Sequence, residues 1–208
     1  IGRQSLRLMI WHFKKIGYTP VVGDSFTSDT PIFVKYDGSD EIAILPISSL
    51  VSKQDIQVDE LGREYDASSK PFTVLCRSGW VKPQYIYRHK TNKPIYRVKD
   101  KNDTLIDVTE DHSLFNSDGK KIKPSHINPT TELEYYKGAI ENKSDKSLSE
   151  KECKCMVKWI RNGVWRTVPS IILNANMESK RMFLEAWDKE EPLTIEDTTK
   201  SILAGIQY

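Results

Sequence analysis

A chain of 208 residues, 38% of them hydrophobic, is long enough for one large domain or two small ones and has enough apolar side chains for a core. Its 31 basic and 29 acidic side chains leave a net charge of +2, which excludes a global field that would draw it onto nucleic acid; any such contact must come from local patches. Its apolar runs fall far short of the roughly 20 residues of a membrane-spanning helix, its first residues lack a secretory layout, and Cys76, Cys153 and Cys155 make neither a disulfide framework nor a four-ligand zinc site, so a soluble intracellular protein with reduced thiols is expected.

Residues 3–16, RQSLRLMIWHFKKI, place Leu6, Met9 or Ile10, Phe13 and Ile16 on one face at helical spacing. Gly17 and Pro20 close that helix before a short strand, Pro20-Val21-Val22. From Pro31 to about residue 123 the pattern changes to short β-rich runs: IFVKY, EIAILPI, FTVLC, QYIYRHK, PIYRVKD and TLIDVT. Turn signals such as Tyr36-Asp37-Gly38 and Ser117-Asp118-Gly119 separate them, so the expected fold class is mainly β. Residues 137–154 are polar and rich in lysine and glutamate, which reads as a linker or mobile loop reaching to about residue 162. Met177–Trp187 and Thr198–Tyr208 read as helices, the first with Asn176 as N-cap and the second with Ile202, Leu203 and Ile206 as its buried stripe. No capping residue follows Tyr208, which suggests a truncated reading frame.

One constellation in the β region carries chemistry, Val108-Thr109-Glu110-Asp111-His112-Ser113-Leu114-Phe115. Thr109 and His112, three apart and just past a strand end, can address one peptide bond, the hydroxyl as a hydrogen-bond partner and the imidazole as a proton donor. If His112 polarises the amide between Asp24 and Ser25, the Ser25 hydroxyl can attack the Asp24 carbonyl and convert peptide to ester. That conversion is uphill, so the fold must destabilise the bond and stabilise the oxyanion. A solvated loop histidine beside a strand is the plainer reading of the same spacing.

The stretch SFTSDTPIFV from Ser25 resembles the opening block of an intein, in which a Ser or Cys nucleophile is followed by Asp-Thr-Pro leading into a strand. Residues 80–115, WVKPQYIYRHKTNKPIYRVKDKNDTLIDVTEDHSLF, resemble the second splicing block and its preceding hairpins in inteins of viral and archaeal polymerases. The resemblance implies a Hint-like horseshoe β splicing domain over 25–136, with Ser25 as nucleophile, Thr109 and His112 as the assisting pair, and no cofactor for splicing. IGRQSLRLMIWHFKKIGYTPVVGD, residues 1–24, resembles the palm helix and strand leading to the GDTDS turn of a family B DNA polymerase, with Val22 where Tyr is usual. That resemblance makes Asp24 a magnesium ligand of the host polymerase and makes Asp24–Ser25 the scissile junction.

Residues 163–208 resemble the start of a LAGLIDADG homing endonuclease, VPSIILNANMESKRMFLEAWDKEEP matching the approach to its first helix and TTKSILAGIQY a following helix. On that match Ala186 is the small packing residue and Glu191 the metal-binding acid, with Pro192 in place of a glycine; a one-residue deletion would make Asp188 or Glu190 the acid. The expected whole is a precursor fragment: a polymerase extein over 1–24, a splicing domain over 25–136, a polar linker over 137–162 and a partial endonuclease over 163–208. The partners implied are DNA, nucleotides for the mature polymerase and a missing C-terminal intein half, with magnesium for polymerase and endonuclease, in a virus-infected host cell. Alternatives are a DNA-binding polymerase fragment with an inert β insertion, or a homing endonuclease. Neither alone asks for Ser25, Thr109 and His112 together at a polymerase junction.

Overall fold

The β-branched runs of the sequence become strands in a computed structural model that describes residues 26–51, 56–67, 70–76, 78–99, 105–134, 144–191, 193 and 200–207. The helix expected over 3–16, the strand at Pro20–Val22, and Asp24 and Ser25 lie outside the described residues.

Strands β1 (Pro31–Tyr36), β2 (Ile42–Pro46), β5 (Phe72–Cys76) and β6 (Gly79–Val81) form an antiparallel sheet in the order β2-β1-β5-β6. The period-2 alternation of β1 and β2 divides their side chains between two cores. The register sets Phe33 opposite Ile44, both packing toward the helices, and sets Ile32 and Val34 opposite Leu45 and Ala43 on the other face with Phe72, Val74 and Leu50. The turn between β1 and β2 uses Gly38 at φ 76°, a backbone conformation that glycine alone adopts without strain. The signal at Ser117-Asp118-Gly119 likewise closes a hairpin between β10 (Leu114–Phe115) and β11 (Lys121–Ile122), with Gly119 at φ 74°.

A second sheet orders β3 (Ile56–Val58), β4 (Glu64–Asp66) and β7 (Ile86–Arg88), and a two-stranded ribbon pairs β8 (Ile95–Lys99) with β9 (Leu105–Thr109). Every strand pair among the described residues is antiparallel, so the mainly β expectation holds for this half of the chain.

The stretch expected as a polar linker is, from Glu150 onward, a helix: α1 (Glu150–Arg161). Its polar composition is that of a surface helix, while Cys153, Met156, Val157 and Ile160 recur at i, i+3, i+4 and i+7 and are buried on one face. Ser149 and Glu152 form a capping box that satisfies two helix-start N–H groups, with Ser149 N–H donating to Glu152 Oε2 at 2.7 Å. The short α2 (Ser170–Leu173), then α3 (Met177–Asp188) and α4 (Lys200–Gln207), join α1 in one apolar cluster that also takes in Ile44 and Phe33. Asn176 caps α3 as expected, its Oδ1 accepting from Ser179 N–H at 2.9 Å, and Ala186 is buried in this cluster. On α4, Ile202 is buried and Ile206 packs against the cluster; nothing is described of the Leu203 side chain. The helices therefore form a layer on β1 and β2 and share their core.

Asn174 bonds that layer to the sheet edge. Its Nδ2 donates to the Ile42 carbonyl and its Oδ1 accepts from the Ile42 N–H, both at 2.7 Å. Arg161 at the end of α1 donates to the Trp187 carbonyl at 2.9 Å and lies over the Trp187 ring at 4.4 Å, joining α1 to α3. The three cysteines are free, Cys153 buried and Cys76 and Cys155 exposed. No helix among the described residues is long and apolar enough to cross a membrane.

Candidate functional site

The spacing of Thr109 and His112 is explained by a turn. Strand β9 ends at Thr109, and the His112 N–H donates back to the Thr109 carbonyl at 3.0 Å, so the two residues close opposite ends of one tight bend. Both are buried, at 2% and 7% exposure. The two middle residues of the turn are anchored to the chain just before β8: Glu110 N–H donates to the Pro94 carbonyl at 3.1 Å, and Lys93 pairs with Asp111. The Lys93 ammonium, helped by the Thr109 hydroxyl, holds the Asp111 carboxyl below the usual carboxylate range.

Phe26 brings the segment that begins at the proposed nucleophile to this turn. It forms an isolated antiparallel bridge with Val108, and its ring centroid lies 4.5 Å from that of His112. The next residues are tied down through their backbone: Thr27 N–H donates to the Asp107 carbonyl at 3.2 Å, Ile47 N–H to the Thr30 carbonyl at 2.8 Å, and Ser48 N–H to the Ser28 carbonyl at 3.0 Å. Ser25 precedes Phe26 in the chain and lies outside the described residues, as does Asp24. Among the expected site residues, then, the structure describes Thr109, His112 and Glu191.

Behind the turn sits a charge cluster that residue spacing does not reveal. Arg97 lies directly opposite Asp107 across the β8–β9 ribbon and grips its carboxylate with two hydrogen bonds of 2.9 Å. Lys200, the first residue of α4, reaches Oδ2 of the same carboxylate, which Arg97 Nη2 also contacts, at 2.6 Å, and also contacts Asp29 Oδ1 and Thr27 Oγ1, both at 2.9 Å. Arg97 first, then Lys200, hold the Asp107 carboxyl below its ordinary value against the opposing effect of burial. At Asp29 burial again opposes, but the Thr27 hydroxyl and the Lys200 ammonium lower the pKa. Asp29 belongs to the Asp-Thr-Pro run visible in the sequence. Its ammonium partner is 171 residues away, and no local pattern points to it.

Glu191 is exposed just past the end of α3, where its backbone carbonyl accepts a hydrogen bond from Arg161. No group of three or more His, Cys, Asp or Glu side chains suited to a metal ion occurs among the described residues. A magnesium ion asks for carboxylates converging with water or phosphate in octahedral geometry. The described residues around Glu191 do not supply that convergence.

The chain is 35% identical over 133 residues to a protein named DNA polymerase from Thermococcus aggregans, an alignment that takes in 61% of this chain and 7% of the relative. It is 38% identical over 126 residues to a DNA polymerase of Acanthamoeba polyphaga mimivirus, 56% of this chain and 7% of that protein, and 36% identical over 105 residues to one from Thermococcus sp. strain GE8. No protein-family model matches. The aligned stretches thus cover only 6–7% of the length of these relatives. The shortest of the three alignments, 105 residues, cannot fit within the 24 residues before Ser25, so the similarity extends well into the segment after that residue.

Proposed function

We propose that the chain is a fragment of an intein-bearing family B DNA polymerase, in which residues 1–24 belong to the host and the segment from Ser25 to about residue 136 is the N-terminal part of a Hint-type splicing domain. The observation that carries this reading is the contact of Phe26 with His112 and Val108, which sets the residue bonded to the proposed nucleophile against the proposed proton donor. The length of the similarity supports it as well, since polymerase relatives share sequence with this chain far past the point where the host segment would end.

The reaction is an isomerisation. Ser25 Oγ attacks the Asp24 carbonyl carbon, the bond from that carbon to the Ser25 nitrogen breaks, and the hydroxyl proton is replaced by acyl while the freed nitrogen gains a proton. His112 delivers that proton and takes up the one the Ser25 hydroxyl loses, so the proton count is unchanged; an amine leaves the tetrahedral intermediate only when protonated, and the Thr109 hydroxyl supports the charge developing in the same intermediate. Both groups are held by the turn and by β9, so little reorganisation accompanies the step.

Residues 163–208 are the start of a LAGLIDADG-type endonuclease, with Glu191 as the acid that contributes to a metal site once a second such helix is packed beside it. Asp24 serves as a magnesium ligand in the host polymerase after it is rejoined to a Thr-Asp-Ser. DNA and nucleotides are partners of those assembled enzymes, in an infected host cell.

Hydroxylamine, which attacks esters far faster than amides, tests the splicing reading. It should release a peptide ending at Asp24 from the 208-residue chain, identified by mass, and release none from Ser25→Ala. Equal stability of both folded chains would leave an inert β insertion in a polymerase.

A further inference from the structure

Lys200 opens α4 with its side chain only 4% exposed, and a buried ammonium is costly unless it is paired. Its three contacts are not scattered. Thr27 and Asp29 lie on the segment that begins at Ser25, and Asp107 lies on β9 two residues before Thr109. One ammonium thus joins the nucleophile's segment and the strand carrying the assisting pair, and joins both to the helical layer. Arg97 holds both oxygens of Asp107, sharing Oδ2 with Lys200, so the carboxylate that Lys200 engages is fixed in orientation.

Resting on the splicing reading above, we propose that Lys200 is a positioning residue for the acyl shift. Its ammonium clamps the Thr27–Asp29 segment, which follows Ser25 in the chain, to β9, the strand that ends at Thr109. Helix α4 is then a working part of the splicing reaction and not only the beginning of an appended nuclease. Among the described residues Lys200 contacts Thr27, Asp29 and Asp107, and it acts by fixing the two segments that carry them. A misplacement of about 1 Å at a reacting centre costs on the order of a hundredfold in rate, so loosening this clamp should be felt at the junction.

The test uses the 208-residue chain and the rate at which hydroxylamine releases the peptide ending at Asp24. Lys200→Met, which keeps the stem and removes the charge, should slow release by roughly ten- to a hundredfold. Lys200→Arg should restore most of the rate, because a guanidinium can still bridge two carboxylates. Asp29→Ala alters a carboxylate that is 60% exposed, so the fold should survive, and release should slow several-fold. A wild-type rate in Lys200→Met or in Asp29→Ala overturns the proposal. So does a loss in Lys200→Met that Lys200→Arg fails to recover. If the wild-type chain releases no peptide at all, the splicing reading itself fails and the positioning role falls with it.

Discussion

The ring of Phe26 lies against the imidazole of His112, 4.5 Å between centroids and tilted by 57°, at the mouth of the turn that begins at Thr109. A tilted aromatic pair of this kind is worth about 0.5–1.5 kcal/mol beyond simple burial. Because Phe26 is 41% exposed, its removal should cost the fold little. Phe26→Ala is therefore expected to melt close to the wild type yet slow hydroxylamine release at Asp24–Ser25 by about two- to tenfold, the rate equivalent of that pairing energy. Phe26→Leu, which fills the space without an aromatic face, should fall between. Equal rates in all three chains would mean that the ring does not orient the imidazole.

Asp107 makes the stability of the site acid-sensitive. Arg97, then Lys200, depress its folded pKa below that of an ordinary aspartate. A carboxylate with a depressed folded pKa contributes stability that is present above the unfolded pKa of about 3.9 and is lost as the pH falls through the folded value. Asp107→Asn should remove that contribution, so the melting temperatures of variant and wild type should differ most near pH 7 and converge below about pH 4. The neutral-pH loss should be about 3 kcal/mol, typical of removing one partner from a buried pair. A melting difference that is flat from pH 7 to pH 3 would contradict this account.

What the sequence reveals of this molecule follows how local each feature is. β1, β2, β5, β7, β8 and β9 fall within the six β-rich runs bounded by turn signals, and each is present. β3, β4, β6, β10 and β11 hold only two or three residues, too few to show a period; their pairing across the sheet defines them. Helix α1 had a signal: Ser149-x-x-Glu152, then apolar residues at 153, 156, 157 and 160. The lysines and glutamates of its exposed face concealed it. The same split holds at the site. Thr109 and His112 are legible because three residues make a turn, whereas the Lys200 clamp joins groups 173 positions apart and exists only through packing.

At Gly205, α4 lies close against Val168, in the chain leading into α2. A Cβ built there would lie 2.5 Å from Val168 Cγ2 and 2.6 Å from Val168 Cβ, distances that real side chains do not tolerate. In an exposed helix, Gly→Ala stabilises by up to about 1 kcal/mol. Here overpacking should outweigh that gain, since Val168 is buried and forced contacts cost about 1–3 kcal/mol. Gly205→Ala should lower the melting temperature. If the clamp depends on α4 being seated, it should also slow hydroxylamine release. A higher melting temperature would show that α4 does not pack as closely as described.

The Asn174 amide is matched to the edge of β2 in both directions, donating to the Ile42 carbonyl and the Ser170 carbonyl and accepting from the Ile42 N–H, each at 2.7 Å. Asn174→Ala would leave a buried N–H and a buried carbonyl without this partner, at about 1–3 kcal/mol for each group, so a loss of about 2–4 kcal/mol is expected in denaturant unfolding. Asn174→Asp separates donor from acceptor. An ionised carboxylate can still accept from Ile42 N–H but faces two carbonyls it cannot donate to, while the protonated acid can do both. The introduced acid should therefore have a folded pKa above its unfolded value. A group raised in this way contributes stability that is fully present below the unfolded pKa and is lost as the pH rises through the folded one. Asn174→Asp should accordingly approach wild-type stability near pH 4 and lose it progressively toward neutral pH, whereas Asn174→Ala should show no such trend relative to wild type. Parallel pH profiles for the two variants would mean that the amide's two-way bonding to Ile42 is not what ties the helical layer to the sheet.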